Sequence, residues 1–305
     1  MKQPVMKQPV MKQSVMKQPM LGTLVKGDEN PELAIRQLAG QGFESFSIMY
    51  WGHVSGDLAA TASTVCQAAS ETGTIVSSVS VYGNPLSGDE AGIATQAGII
   101  ALIDQAGSFG CSLVSCFAGR VPGTAVPASI EAWKSFFGPL AERAEARGVQ
   151  LAFENCRMGD TWKTGKWNIA INPDAWHLMF DALPSETLGL EWEPCHQVEA
   201  LADPLAQLKD WLPRIIHIHG KDARVNRELL ASRGLYGRNR WHQPCLPGNG
   251  DTDWRELLRI LVDGGYAGTV DIEGWNDAEW GGERELAGQL RALAYLKECR
   301  AVAEP

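Results

Sequence analysis

A closed (β/α)8 barrel is the fold class this sequence predicts, and two observations predict it. Eight short apolar segments recur along the chain, each followed by a segment of helical length, so every connection is long enough for a parallel crossover. The second is size. A chain of 305 residues, 45% of them hydrophobic, suffices for one large core, and no clear linker splits it. Eight units in this length fit a closed barrel better than an open sheet.

The elements follow in order. LGTLV (21–25) reads as the first strand and PELAIRQLAGQG, from Pro31, as its helix. FESFSIMYW (43–51) is the second strand, TASTVCQAASETG (61–73) a helix, and TIVSSVSVY (74–82) the third strand, closed by Gly83, Asn84 and Pro85. A helix around ATQAGIIALIDQAGSFG leads to CSLVSCF (111–117). SIEAWKSFFGPLAERAEARG, with Ser129 as its expected cap and a closing glycine, leads to VQLAFEN. PDAWHLMFDAL leads to LGLEWE, DPLAQLKDWL to RIIHIHG, and DWRELLRILVDGG to GTVDIEG, before the final helix GGERELAGQLRALAYLKECR. The expected organisation is a tail over 1–20, built on the repeat MKQPV with a period of neither helix nor strand, then one barrel domain over 21–305. A long insert at about 221–251 interrupts the seventh unit, and a loop of that length is expected to have a task, such as a lid.

Composition narrows the function. Net charge is −9 without a dense basic block, so nucleic acid is not an expected partner. No run of roughly 18 apolar residues and no signal peptide is seen, and the seven scattered cysteines suit a reducing compartment, so the expectation is a cytoplasmic protein without a membrane partner. No GxGxxG after the first strand, GxxxxGK[ST] or GxSxG motif occurs, which removes dinucleotide, nucleotide and serine-hydrolase readings. Cys156 and Cys195, beside the acids below, are read as packing residues.

In such a barrel the chemistry lies at the C-terminal ends of the strands. Four segments end there in metal-competent side chains: Glu154 in VQLAFEN, Glu193 in LGLEWEP, His219 in RIIHIHGKD and Glu273 in GTVDIEG. Three carboxylates and one imidazole suit Mn2+ or Mg2+, with Zn2+ or Co2+ also able to bind. Glu191 and His217 sit two residues earlier on the same strand faces, so each rivals its neighbour; Glu193 and His219 are preferred as nearer the strand ends. His196 and Lys221 follow two of these acids and bases closely and are expected to bind substrate. Arg157 and Arg224 are candidates for an anionic group, and Trp51 and Trp275, with Tyr82, for the apolar face of a sugar ring. Arg120, Arg227 and Arg240 lie near strand ends or in the insert, whereas His53, His177 and His242 carry less weight.

These residues resemble the sugar phosphate isomerase/epimerase family, the xylose-isomerase-like barrels, from about Leu21 to Ala301. The motifs are LAFEN (151–155), EPCH (193–196), HIHGKD (217–222), PGNGDTDW (247–254) and GYAGTVDIE (265–273). The resemblance implies one divalent ion on Glu154, Glu193, His219 and Glu273. In the ketose 3-epimerase branch it implies proton exchange by Glu154 and Glu273 through a cis-enediolate, with His196 holding a substrate hydroxyl. Two departures stand out: the usual second ligand is aspartate where this chain has Glu193, and the usual arginine position holds Val225 with Arg224 adjacent. The HxKD form also occurs in inositol-related dehydratases. The expected function is therefore a metal-dependent isomerase or epimerase of a sugar or sugar-like keto-polyol. The alternatives are a metal-dependent dehydratase or lyase of a keto-inositol or keto-sugar, and a non-catalytic sugar-binding barrel. The barrel DNA endonucleases are disfavoured because the third and fourth strands end without histidine and the insert lacks Asp-x-His. A homo-oligomer is a further expectation.

Overall fold

The computed structural model describes residues 18–275 and 277–303; the repeat up to residue 17 lies outside them. The barrel is closed by eight parallel strands: β1 (Met20–Lys26), β2 (Ser45–Trp51), β3 (Ile75–Tyr82), β4 (Leu113–Cys116), β5 (Gln150–Glu154), β6 (Leu188–Trp192), β7 (Ile215–Gly220) and β10 (Thr269–Ile272). The last closes the ring between β7 and β1. Around it pack α1 (Pro31–Ala39), α2 (Leu58–Thr72), α3 (Glu90–Gln105), α4 (Val126–Glu145), α5 (Pro173–Ala182), α6 (Cys195–Glu199), α7 (Pro204–Trp211), α9 (Trp254–Asp263) and α10 (Glu285–Val302). The first strand begins one residue before 21, with Met20 in register with Thr269.

Strand side chains alternate between the helix layer and the barrel interior. Outward residues such as Phe46, Val79, Val114, Leu151, Leu190, Ile218 and Val270 are fully buried under the helices. The interior, in contrast, is polar. Asp271 accepts hydrogen bonds from the hydroxyls of Ser45 (2.6 Å), Ser77 (2.5 Å) and Thr269 (3.1 Å), and lies 2.7 Å from His217 Nε2. Gly22 makes that convergence possible, because a Cβ there would stand 2.0 Å from Asp271 Oδ1 and 2.1 Å from Ser45 Oγ.

Three local expectations need correction. Ser129 is not a cap: α4 starts at Val126 with Pro127 in its first turn, where a missing N–H costs nothing, and Ser129 sits buried inside the helix, its hydroxyl accepting Val121 N–H. The helices after β2 and β3 begin earlier than their apolar pattern, at Leu58 and Glu90, because the Asp57 and Asp89 carboxylates cap them. The insert is folded rather than structureless. β8 (Asp222–Val225) and β9 (His242–Cys245) form an antiparallel pair enclosing α8 (Arg227–Arg233), and Trp241, Ala223 and Val225 pack on Cys195 and Val198 of α6. Asp222 anchors its start, accepting Thr252 Oγ1–H (2.7 Å) and Trp254 Nε1–H (2.9 Å).

Candidate active site

The ends of β5, β6, β7 and β10 deliver Glu154, Glu193, His219 and Glu273 to one point, where one ligand atom from each lies within 4.8 Å of the others. All four are buried. His219 Nδ1 is 3.1 Å from Glu154 Oε1 and 3.3 Å from Glu273 Oε2, while its Nε2 lies 3.2 Å from Glu191 Oε1. A carboxylate behind a histidine, with the other ring nitrogen facing further acids, is the arrangement that orients metal-ligating imidazoles. The rivals named from sequence thus have separate work. Glu191 and His217 are one layer deeper, 2.6 Å apart, with Tyr82 O–H donating to Glu191 at 2.5 Å.

The backbone around Glu193 is clamped by Asn155, which accepts Glu193 N–H (3.0 Å) and donates to its carbonyl (2.9 Å). Its carboxylate is fully buried with His196 Nε2 2.7 Å from Oε1, and Glu273 Oε2 faces His219 Nδ1 at 3.3 Å. Three carboxylates buried this close together still pay for desolvation and repel one another. A divalent cation removes both costs, and the oxygen-rich donor set suits one. The residues therefore fit a divalent ion.

Lys221 brings a cationic side chain to the cluster. Its Nζ donates to Glu273 Oε1 at 2.5 Å and lies 3.9 Å from Glu193. Burial pushes Glu154 up to about 7; the His219 hydrogen bond opposes this and the negative Glu193 and Glu273 add to it. Burial also raises Glu273, but the Lys221 charge and His219 outweigh it and draw that carboxyl down to about 2.

The cluster forms the floor of a cavity of about 540 Å³. Trp51, Trp275, Arg157, Lys221 and His196 all line it. Trp51 stands edge-on to Phe117 with ring centroids 6.3 Å apart, and Tyr82, Met49 and Met158 extend the apolar wall. Arg224 is not brought to the site. On β8 it lies between inward-facing Ala223 and Val225, so alternation turns it outward, opposite Gln243. Arg120 is also absent from the cavity, buried with its guanidinium on the carbonyls of Thr124, Thr161 and Trp162. His53 and His177 are exposed, the latter against Trp211.

Sequence reasoning missed Glu199. It is buried, 3.0 Å from His196 Nδ1, and is held by Arg240 (3.0 Å) and His242 (2.9 Å) of the insert. Its place three residues after His196 on one helix face was the available signal.

Comparison with known proteins agrees with this architecture. The chain is 28% identical over 155 residues to the uncharacterized protein YfiH of Bacillus subtilis, 48% of this chain and 45% of that one. It is 25% identical over 177 residues to inosose dehydratase of Clostridium perfringens, 55% of each chain. The chain thus spans about half the length of the curated relatives it matches. The crystal structure of 3-keto-D-glucoside 4-epimerase from E. coli shares the fold, with a TM-score of 0.67 and 17% identity over 92% of this chain and 100% of that one. Residues 35–299 match the xylose isomerase-like TIM barrel, and with a match over most of its length the chain belongs to that family.

Proposed function

We propose that this protein is a divalent-metal-dependent isomerase or epimerase of a sugar or sugar-like keto-polyol. The observation that carries the reading is the convergence of the buried Glu154, Glu193, His219 and Glu273 on one point. These four would hold the ion, Mn2+ or Mg2+ by donor type. When bound, the ion polarises a carbonyl beside a hydroxyl and acidifies the carbon hydrogen between them.

Glu154 and Glu273 arrive from strands separated by β6 and β7, and in this reading they take and return the proton on the reacting carbon. Glu154, buried at the cavity floor beside His219, is placed to exchange a proton. Lys221 holds the charge on Glu273 and reaches substrate oxygens, His196 holds a hydroxyl, and Trp51 and Trp275 cover the apolar ring face. Arg157 provides a cation at the mouth. The net negative charge and the cavity above the cluster favour a small-molecule partner over nucleic acid.

Lys221 beside Glu273 favours a second reading, dehydration of a keto-inositol or keto-sugar, since a base and an adjacent cation can remove a proton and assist loss of a beta hydroxyl. The relationship to inosose dehydratase points the same way. Incubation of metal-loaded protein in D2O with ketoses, keto-inositols and keto-glycosides tests both. Deuterium incorporation without mass loss supports epimerisation or isomerisation; loss of water with an enone chromophore supports dehydration. No exchange into any panel member, with metal bound, rejects the proton-transfer reading.

A further inference from the structure

The short helix α6 carries two pairs of residues three apart, and the insert meets both. Cys195 and Val198 pack on Ala223, Val225 and Trp241 of the β8–β9 pair. His196 and Glu199 are the second pair, with His196 Nδ1 3.0 Å from Glu199 Oε2. The other oxygen, Oε1, accepts from Arg240 Nη2 at 3.0 Å and lies 2.9 Å from His242 Nδ1. Arg240 Nε also donates to His242 Nε2 at 3.3 Å, which leaves the His242 proton on Nδ1, facing Glu199.

The buried Glu199 carboxylate is therefore engaged on both oxygens, one by its own helix and one by the insert. It reaches the cavity wall, but with its oxygens taken up it acts on a ligand through His196. That ring needs a holder. The outer torsion of a histidine is broad and two-fold, so a ring without a fixed partner turns over and changes the nitrogen it offers. A carboxylate at Nδ1 places the proton there and turns Nε2 to the cavity floor, where Glu193 Oε1 stands 2.7 Å away.

We propose that Glu199 is a positioning residue that holds the His196 ring toward the cavity floor, and that Arg240 and His242 set Glu199 in turn, so that the insert governs how the site meets a substrate hydroxyl. This rests on His196 holding that hydroxyl, as in the proposed function. The insert then has a task that requires no motion: it supplies the far end of a chain of contacts, His242–Glu199–His196–Glu193, running from β9 to the four-group cluster. Were Glu199 only a fastening for the insert, the apolar pair on α6 would share that work and the His196 ring would be indifferent to it.

The test is nitrogen-15 NMR of the whole chain with labelled histidines, in Mg2+ and at constant pH, the His196 ring being identified by its loss in His196→Asn. In the unaltered protein its Nδ1 carries a proton with the downfield shift of a bond to a carboxylate. Glu199→Gln offers one acceptor oxygen, for which Arg240 and His242 already compete, so that shift is abolished while the circular dichroism spectrum is unchanged. His242 stands outside the cavity lining, and His242→Phe moves the same resonance part of the way but adds nothing in the Glu199→Gln background. It carries the same test if a Glu199 variant does not fold. For a keto-sugar or keto-inositol that exchanges deuterium, Glu199→Gln lowers kcat/KM about 100-fold. Combined with His196→Asn it is no slower than His196→Asn alone. A His196 resonance unmoved by Glu199→Gln, or losses that multiply in the double variant, overturns the proposal; a resonance unmoved by His242→Phe overturns the part given to the insert. A resonance that moves while no panel member exchanges refutes the proposed function alone; exchange with a resonance indifferent to Glu199 refutes this inference alone.

Discussion

Replacing Arg120 by methionine should unfasten the loop that forms one side of the cavity mouth. Arg120 is fully buried and donates to Thr124 O at 3.0 and 2.6 Å, to Thr161 O at 2.7 Å and to Trp162 O at 3.3 Å. Its guanidinium also lies 3.7 Å from Asp160, whose carboxylate accepts the backbone N–H groups of Lys166, Trp167 and Asn168. Methionine fills most of the volume but leaves the Thr124 and Thr161 carbonyls without this donor and Asp160 without its cation. Trp162 O keeps the N–H of Val126. Removing one member of a buried ion pair costs about 3–5 kcal/mol, and the three N–H bonds retained by Asp160 place the loss near the lower end. In denaturant unfolding, the midpoint should fall by that amount divided by the slope, with the slope unchanged. Trypsin should cut faster within residues 157–166, while divalent-cation affinity stays within a few-fold, since the candidate ligands stand on strand ends. A loss below about 1 kcal/mol would refute the claim that Arg120 fastens this loop.

Further outcomes follow from the same contacts. His219→Ala should lower bound divalent metal, measured by elemental analysis, and Glu154→Gln or Glu273→Gln should abolish deuterium exchange; exchange at the unaltered rate in both rejects their roles. Chelation should lower the thermal midpoint and added Mn2+ restore it, because an ion that binds only the folded state stabilises it by mass action. Trp133→Ala should cost about 3–5 kcal/mol, since the indole is fully buried against Phe137 and Phe153 at 5.8 and 5.5 Å; a loss under 1 kcal/mol would show that the site collapses freely. Asp222 has no basic partner, and burial, partly offset by its hydrogen bonds, raises it from 3.8 to about 6. A carboxyl raised on folding contributes stability below pH 3.8 that is lost as pH climbs through 6, roughly 3 kcal/mol by the size of the shift. The difference between the stability curves of the unaltered protein and Asp222→Asn should therefore slope across pH 4–6 and be flat above 7; a flat difference throughout would show that Asp222 stays ionised.

The barrel was legible because its signal is repeated: apolar strand segments separated by long amphipathic ones leave few ways to bury both. The four converging groups were legible because each closes such a strand. The failures share a physical origin. Helix starts at Leu58, Glu90 and Val126 were set by aspartate side chains and by Pro127, which act before the apolar pattern begins. The β8–β9 pair was hidden because its four-residue strands carry Asp222, Arg224, His242 and Gln243, and its burial is against α6 rather than a continuous core. Arg224 was misplaced for the same reason: without the strand, alternation could not be applied. The role of Arg120 was unreadable because, Asp160 apart, its partners are backbone carbonyls up to 42 residues away, which leave no trace in side-chain identity.

What makes the floor of the cavity able to act on a ligand is how its acids are held. Glu193 and Glu154 are positioned through their main chains. Asn155 grips both backbone groups of Glu193, while Asn168 donates to the carbonyl of Glu154 at 2.8 Å. Main-chain clamping fixes these carboxylates while leaving their oxygens facing only the histidines of the cluster, whereas the deeper Glu191 and Asp271 are fixed by several bonds to their oxygens and have little capacity left. The depth at which hydrogen bonding passes from side chain to backbone thus divides structural acids from available ones. Neighbouring residues in one motif fall on opposite sides of that division: in Glu191-Trp192-Glu193 the first acid completes the barrel interior, and the second, two residues and one layer on, faces the acids of the cluster, where a cation can meet it.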